Sequence, residues 1–178
     1  QLRRVAFVAS EKPEMSVSAK TNQVEADMIA AMVERIFRQA DRFDYSATVG
    51  VIVPYRNQIA TVRNAIDRYG IPALHSITID TVERFQGSQR DYIIYGLTVQ
   101  QRCQLNFLTD NVFEEDGTLI DRKLNVAMTR ARKHLTIVGN PDILAGSAVY
   151  RRLMDFMKSR GCYFNVACEK FCAGDFSV

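Results

Sequence analysis

The sequence predicts an α/β fold, a mostly parallel sheet flanked by helices on both faces. Three observations carry this. Short β-branched runs such as Val5 to Ala9 and Gly50 to Val53 recur along the chain, and amphipathic stretches with apolar residues at helical spacing separate them. The third is bulk: 47% hydrophobic residues among 178 supply a substantial core for one domain.

Val5 to Ala9 reads as the first strand. Asn22 to Ala40 reads as a helix because Val24, Met28, Ile29, Val33 and Ile36 fall on one face. Asn22 with Glu25 three residues later has the form of a capping box, the Asn side chain serving backbone N–H groups and the Glu returning the bond. Gly50 to Val53 is a buried strand that runs into Pro54, after which Tyr55, Ile59, Val62, Ile66 and Tyr69 form a second helical stripe closed by Gly70 and Pro72. His75 to Asp80 and Tyr92 to Thr98 read as strands. Gln100 to Thr118 is polar, broken by Asp116-Gly117, and reads as a surface excursion. Asp121 to Lys133 is strongly helical, Leu135 to Val138 is a strand stopped by Gly139-Asn140-Pro141, and Val149 to Met157 is a last amphipathic helix. Gly161 to Val178 fits either a last strand with an irregular tail or a docking segment for a neighbour. The expected division is a main domain over residues 1–160 and an extension over 161–178. No internal repeat or low-complexity tract interrupts the pattern.

A net charge of +3 permits a nucleic-acid or phosphate ligand without demanding one. Cys103, Cys162, Cys168 and Cys172 lack C-x-x-C spacing and only two histidines accompany them, so no metal ligand is assigned. No secretory h-region, bilayer-length apolar run or N-x-[ST] sequon occurs. Free thiols fit a reducing interior. The expectation is an intracellular protein without a membrane partner, in the cytoplasm or nucleoid of a bacterium or the nucleus or cytoplasm of a eukaryote. A strand-like run directly after Gln1, with no initiator Met, suggests a piece of something longer.

In an open parallel sheet the loops at the carboxyl ends of the strands converge on a ligand crevice, and three segments are read as such ends. In Val53-Pro54-Tyr55-Arg56-Asn57-Gln58, a helix start with Arg56 and Gln58 can face a phosphate; equally, Pro54 opens a helix and Tyr55 packs in the core. In the segment from Thr81 to Asp91, Gly87 allows backbone to approach a ligand closely, or the residues form a polar turn with Phe85 buried. From Arg122 to Lys133, five of twelve residues are cationic while Leu124, Ala127, Met128 and Ala131 supply an apolar stripe. Guanidinium groups there suit bidentate phosphate recognition, or make a solvated basic face.

In order and wording these segments resemble the carboxy-terminal motor domain of superfamily 1B helicases, the group that contains the nonsense-mediated-decay, switch-region-binding and replication helicase/nuclease enzymes. Thr21-Asn22-Gln23-Val24-Glu25-Ala26 is similar to the segment opening the first long helix, and Val53-Pro54-Tyr55 with Gln58 to the S/T-P-Y-x-x-Q element. Thr81-Val82-Glu83-Arg84-Phe85-Gln86-Gly87 resembles motif V, and Lys123-Leu124-Asn125-Val126-Ala127-Met128-Thr129-Arg130-Ala131-Arg132 resembles motif VI. The resemblance spans about residues 5–157.

The resemblance implies a RecA-like domain of the P-loop NTPase type. ATP and Mg2+ would lie between it and an N-terminal RecA-like domain of the same polypeptide, which carries the phosphate-binding loop and metal ligands. It implies that Arg130 is the catalytic arginine finger, that Gln86, Gly87 and Gln89 border the nucleotide, and that Arg132 is a second cation touching phosphate or bracing motif V. Gln86 would also link nucleotide state to the strand track. Tyr55, Gln58 and Thr81 would contact single-stranded nucleic acid, DNA favoured over RNA, with movement 5′ to 3′. Three positions depart from the pattern: Gln89 stands where glutamate is usual, Val53 where a hydroxyl residue is usual, and Lys123 where a second arginine is usual. No G-x-x-x-x-G-K-[ST] run occurs, so this chain alone is expected not to hydrolyse ATP. Two other readings stay open, a non-catalytic nucleic-acid-binding module derived from a helicase and an unrelated α/β scaffold. The scaffold would be favoured if Arg130 and Gly87 lay on opposite faces.

Overall fold

The computed structural model describes residues 4–14, 18–85, 89–110, 112–115 and 118–174. In chain order the first elements are β1 (Val5–Ala9), α1 (Gln23–Gln39), β2 (Val49–Val53), α2 (Arg56–Asp67), β3 (Thr78–Thr81) and β4 (Arg90–Gly96). There follow α3 (Gln104–Thr109), a hairpin of β5 (Val112–Glu115) and β6 (Thr118–Asp121), α4 (Arg122–Arg130), β7 (Ala131–Gly139), α5 (Pro141–Leu144), α6 (Ala148–Ser159), β8 (Tyr163–Asn165) and α7 (Cys168–Ala173). Six strands form one sheet in the order β3-β2-β4-β7-β1-β8, and every pairing in it is parallel.

Side-chain alternation along the buried strands explains why both faces are covered. Val8, Val51, Val53, Ile94 and Val138 face one side, where α1, α2 and α7 pack through residues such as Ile29, Val62 and Phe171. Phe7, Ile52, Ile93, Tyr95 and Ile137 face the other, covered by α3, α4, α5 and α6 through Leu105, Leu124, Leu144 and Met154. The expected α/β sheet with helices on both faces is therefore the one that forms. No helix among the described residues is long and apolar enough to cross a membrane.

The start of α1 departs from a reciprocal capping box. Asn22 does cap the helix, its Oδ1 accepting from the Glu25 N–H at 3.1 Å. The Asn22 N–H, however, donates to Gln58 Oε1 at 2.8 Å, and Gln58 Nε2 donates to the Asn22 carbonyl at 2.9 Å. Glu25 points into the core, because it lies on the face of α1 that packs over the ends of β1 and β4. There it accepts from the Thr98 N–H at 2.7 Å and from Ser10 Oγ at 3.2 Å. Burial pushes its carboxyl up to about 8, against the opposing pull of those two donors.

Other boundaries differ for physical reasons. The polar stretch over 100–118 holds α3 and half of the hairpin, because Leu105 and Leu108 bury against the core. The helix expected to reach Lys133 stops at Arg130, since Ala131 to His134 gain sheet hydrogen bonds by pairing with β4 over Arg90 to Tyr92. Asp121 is the N-cap of that helix. His75 lies after a short 3-10 turn, Pro72–Leu74, and β3 starts later, at Thr78. Beyond residue 160, β8 joins the sheet beside β1, with the Tyr163 and Phe7 rings stacked at 5.3 Å, and Phe171 is fully buried against α1.

Gly50 marks the place where Phe85 crosses β2. A Cβ there would sit 2.5 Å from Phe85 Cζ and 3.0 Å from Arg90 Cγ. Phe85 is buried and has no room to swing aside. Gly50→Ala is expected to cost about 1–3 kcal/mol through overpacking, read as a lower denaturation midpoint; an unchanged midpoint would contradict this packing.

Candidate functional site

The strand registers separate the candidate residues onto two edges. Val53 at the end of β2 lies opposite Thr81 at the end of β3, so Tyr55 and Thr81 occupy the carboxyl edge. Arg90 at the start of β4 lies opposite Ala131 at the start of β7, so Gln89, Arg130 and Arg132 occupy the amino edge. With Val49 opposite Tyr92, the two edges are about 20 Å apart at roughly 3.3 Å per residue. The expectation that all three segments converge at carboxyl ends is thus corrected. A residue that directly precedes a parallel strand lies at the opposite edge from one that follows it.

α4 ends at the amino edge with Arg130 and starts near the carboxyl edge, beside Phe107, where it is capped by Asp121. Its Oδ1 accepts from the N–H groups of Lys123 and Leu124 at 2.8 and 3.1 Å, and its Oδ2 accepts from the Tyr150 hydroxyl at 3.1 Å. Burial raises this carboxyl and those donors oppose the rise. Leu124 and Ala127 pack into the core. Lys123 also turns inward, donating to the Phe107 carbonyl at 2.7 Å and pairing with Asp110 at 2.9 Å, with its ammonium 4.2 Å from the Phe107 ring centroid. It therefore leaves the basic face. A single ammonium suffices there, because its partners are one carbonyl, one carboxylate and one ring.

The remaining cations divide by partner. Arg132 Nε pairs with Asp91 Oδ1 at 2.9 Å and its Nη2 donates to the Ala47 carbonyl at 2.9 Å. Lys133 pairs with Asp91 Oδ2 at 2.7 Å. The bond from Lys133, together with Arg132, holds the Asp91 carboxyl below its ordinary value despite some burial. Arg132 thus braces the starts of β2 and β4. Arg130, half-buried at the end of α4, has no ion pair among the described residues, and its Nε is buried without a hydrogen-bond partner among them. Gln89 is beside it, its Nε2 donating to the Thr129 carbonyl at 3.2 Å. Gln86 and Gly87 lie outside the described residues. Arg90, which the sequence reading did not single out, fixes the backbone at Gln89. Its Nη1 donates to the Gln89 carbonyl at 2.9 Å and its Nη2 to Thr78 Oγ1 at 3.0 Å, with the guanidinium over the Phe85 ring.

The carboxyl edge holds a groove of about 690 Å³ lined by Lys20, Tyr55, Arg56, Thr81, Arg84 and Phe107. Tyr55 and Phe107 are stacked, with centroids 4.9 Å apart and planes within 18°. Phe107 lies in the polar stretch read as a surface excursion; the only local signal was Leu105 and Leu108 three residues apart, which mark a short buried helix face and leave Phe107 on the other side of it. Gln58 does not reach this groove. Its side chain is fully buried, because it lies on the face of α2 that meets α1, and both ends of its amide are taken by Asn22.

A family model described as an AAA domain matches residues 2–142. The chain is 33% identical over 141 residues to the helicase sen1 of Schizosaccharomyces pombe, an alignment covering 78% of this chain and 8% of that protein. Over 154 residues it is 31% identical to the helicase SEN1 of Saccharomyces cerevisiae, covering 85% of this chain and 6% of the relative. The chain belongs to the superfamily 1B helicases. A further relative is the regulator of nonsense transcripts 1 homolog of Neurospora crassa, 28% identical over 159 residues, covering 87% of this chain and 13% of that protein. This RecA-like domain therefore spans a small part of the length of the relatives it matches.

The amino edge of this superfamily 1B domain fits a phosphate group. It combines a guanidinium with an unpartnered buried Nε, a side-chain amide at Gln89 and a backbone held by Arg90. It does not fit a magnesium ion by itself. Asp91 is already occupied by two cations, and the described residues contain no group of three His, Cys, Asp or Glu able to hold a metal. The groove at the other edge combines stacked rings, a hydroxyl and three cations with one carboxylate, Glu83, so the rings suit bases and the surplus of cations suits phosphates.

Proposed function

We propose that this domain is the carboxy-terminal motor domain of an ATP-dependent nucleic-acid helicase, presenting Arg130 as an arginine finger. ATP and Mg2+ are held mainly by the N-terminal RecA-like domain of the same polypeptide. The observation that supports this most is the contrast among neighbouring cations: Arg132 and Lys133 are paired with Asp91, whereas Arg130 has no ion pair among the described residues. Its guanidinium donates to a γ-phosphoryl oxygen, where charge develops during transfer to water. Gln89 offers a neutral amide to the nucleotide in place of a carboxylate, and Gln86 and Gly87 border the same ligand. Arg132 acts by bracing the edge. Tyr55 and Thr81 carry a single strand, DNA in preference to RNA, gripped without base selection. Gln58 serves this track from below by holding the start of α1.

The test is ATP hydrolysis by the full-length protein with and without single-stranded DNA or RNA, beside residues 1–178 alone. The expected result is strand-stimulated turnover in the full-length protein and none in the fragment. Turnover by the fragment would overturn the split site. A full-length protein that binds strands without hydrolysing ATP would replace the motor with a non-catalytic binding module.

A further inference from the structure

The helicase reading leaves the cysteines of α7 unused. Cys168 and Cys172 are four residues apart on one helix, so their side chains share a face, and their sulfurs approach to 3.8 Å. Both are half-buried, unlike exposed Cys103 and buried Cys162. The pair opens on a cavity of about 360 Å³ between α1, α2 and α7, also lined by Asp27, Arg68, Tyr69 and Glu169. Cys168 Sγ further approaches the Val24 carbonyl, at 3.8 Å, in the first turn of α1. The hydrogen bond between the two sulfurs lowers the Cys172 thiol, with help from Arg68 and against burial and Asp27. A thiolate is the nucleophilic form, so this sulfur is the better attacker.

We propose that Cys168 and Cys172 form a peroxide-oxidised dithiol in which Cys172 is oxidised first and Cys168 resolves it as a disulfide. The Cys172 thiolate attacks one oxygen of hydrogen peroxide; the S–O bond forms as the O–O bond breaks, and the departing hydroxide takes a proton and leaves as water. Cys172 is oxidised to sulfenic acid and the peroxide is reduced. The Cys168 sulfur then attacks Cys172 sulfur, the S–O bond breaks, and the hydroxide leaves as a second water with the Cys168 proton. Two thiols and one peroxide thus become one disulfide and two waters. The α-carbons of such a pair are about 6 Å apart along the helix axis, within the disulfide range. Helical Cβ atoms four residues apart, however, are about 5–6 Å apart against roughly 3.5–4.5 Å in a disulfide, so the backbone of α7 must shift for the bond to close. The sulfurs still have to close to about 2.05 Å, so the bond tightens the short α7 while Phe171 stays anchored in the core.

The test treats the full-length protein with hydrogen peroxide, alkylates remaining thiols and maps the peptides by mass. The native protein is expected to give a Cys168–Cys172 link reversed by dithiothreitol, with the Cys172 thiol lost roughly ten times faster than that of Cys103. Cys168→Ser is expected to stop at sulfenic acid on Cys172, trapped by dimedone, and Cys172→Ser to form neither species at Cys168. The proposal is overturned if both thiols survive a peroxide dose that oxidises Cys103. It is equally overturned if either residue links instead to Cys103 of a second molecule, or if the trapped sulfenic acid lies on Cys168.

Discussion

Arg130→Ala in the full-length protein is expected to lower strand-stimulated ATP turnover by about a thousandfold or more, while changing single-strand affinity by less than about threefold. Removing the guanidinium withdraws an interaction made most strongly in the transition state, and arginine fingers contribute roughly 10³ to 10⁵ in rate. The separation of the two effects follows from geometry, because Arg130 is at the amino edge and the groove with Tyr55 and Phe107 is at the carboxyl edge. Arg130→Lys is expected to recover little, since an ammonium lacks the planar fork. Turnover at saturating ATP and strand, with strand affinity from fluorescence anisotropy, decides the matter. Native-like turnover in the alanine variant would remove Arg130 from the chemistry.

The second large effect is on stability. The chain is expected to become less stable between pH 5 and pH 8, and Glu25→Gln to remove most of that loss. In the unfolded chain Glu25 ionises near 4.5, whereas in the folded protein burial keeps it protonated up to about 8. Across that window the native state binds the proton that the unfolded state has released, so rising pH favours unfolding. The penalty is absent below the unfolded value and complete above the folded one. At 1.36 kcal/mol per unit it is on the order of 5 kcal/mol. Asp121, also raised by burial, contributes in the same direction, whereas depressed Asp91 acts at lower pH. The difference between native and Glu25→Gln urea midpoints at pH 5 and pH 8 isolates the Glu25 part. Equal pH slopes in the two proteins would show that Glu25 does not hold a proton in the fold.

Where local signals agreed, the fold was readable from residues alone. Val5 to Ala9 and the helix after Asn22 lie where β-branched composition, periodicity and capping place them, because the strand is buried on both faces and the helix on one. Ala131 to His134 misled because their helical composition lost to pairing with β4, a partner some forty residues earlier. The candidate site was partly readable. Residue types marked the basic segment, yet only tertiary contacts show that Lys123 and Arg132 are engaged and that Gln58 faces inward. Phe107 was missed since a six-residue helix presents too short a period to stand out from its polar surroundings. The assignment of the segments to opposite edges required strand register, which no local pattern specifies.

β2 is buried along its whole length and is paired on both sides, so the sheet between the two edges is a stiff strut. Such a strut turns rather than bends. A tilt of about 10° pivoting near Arg130 would carry the groove at Tyr55 through roughly 3 Å over a 20 Å arm. Small angular play at one end thus becomes atomic-scale travel at the other, and the length of a strand of this sheet sets the gain of that lever.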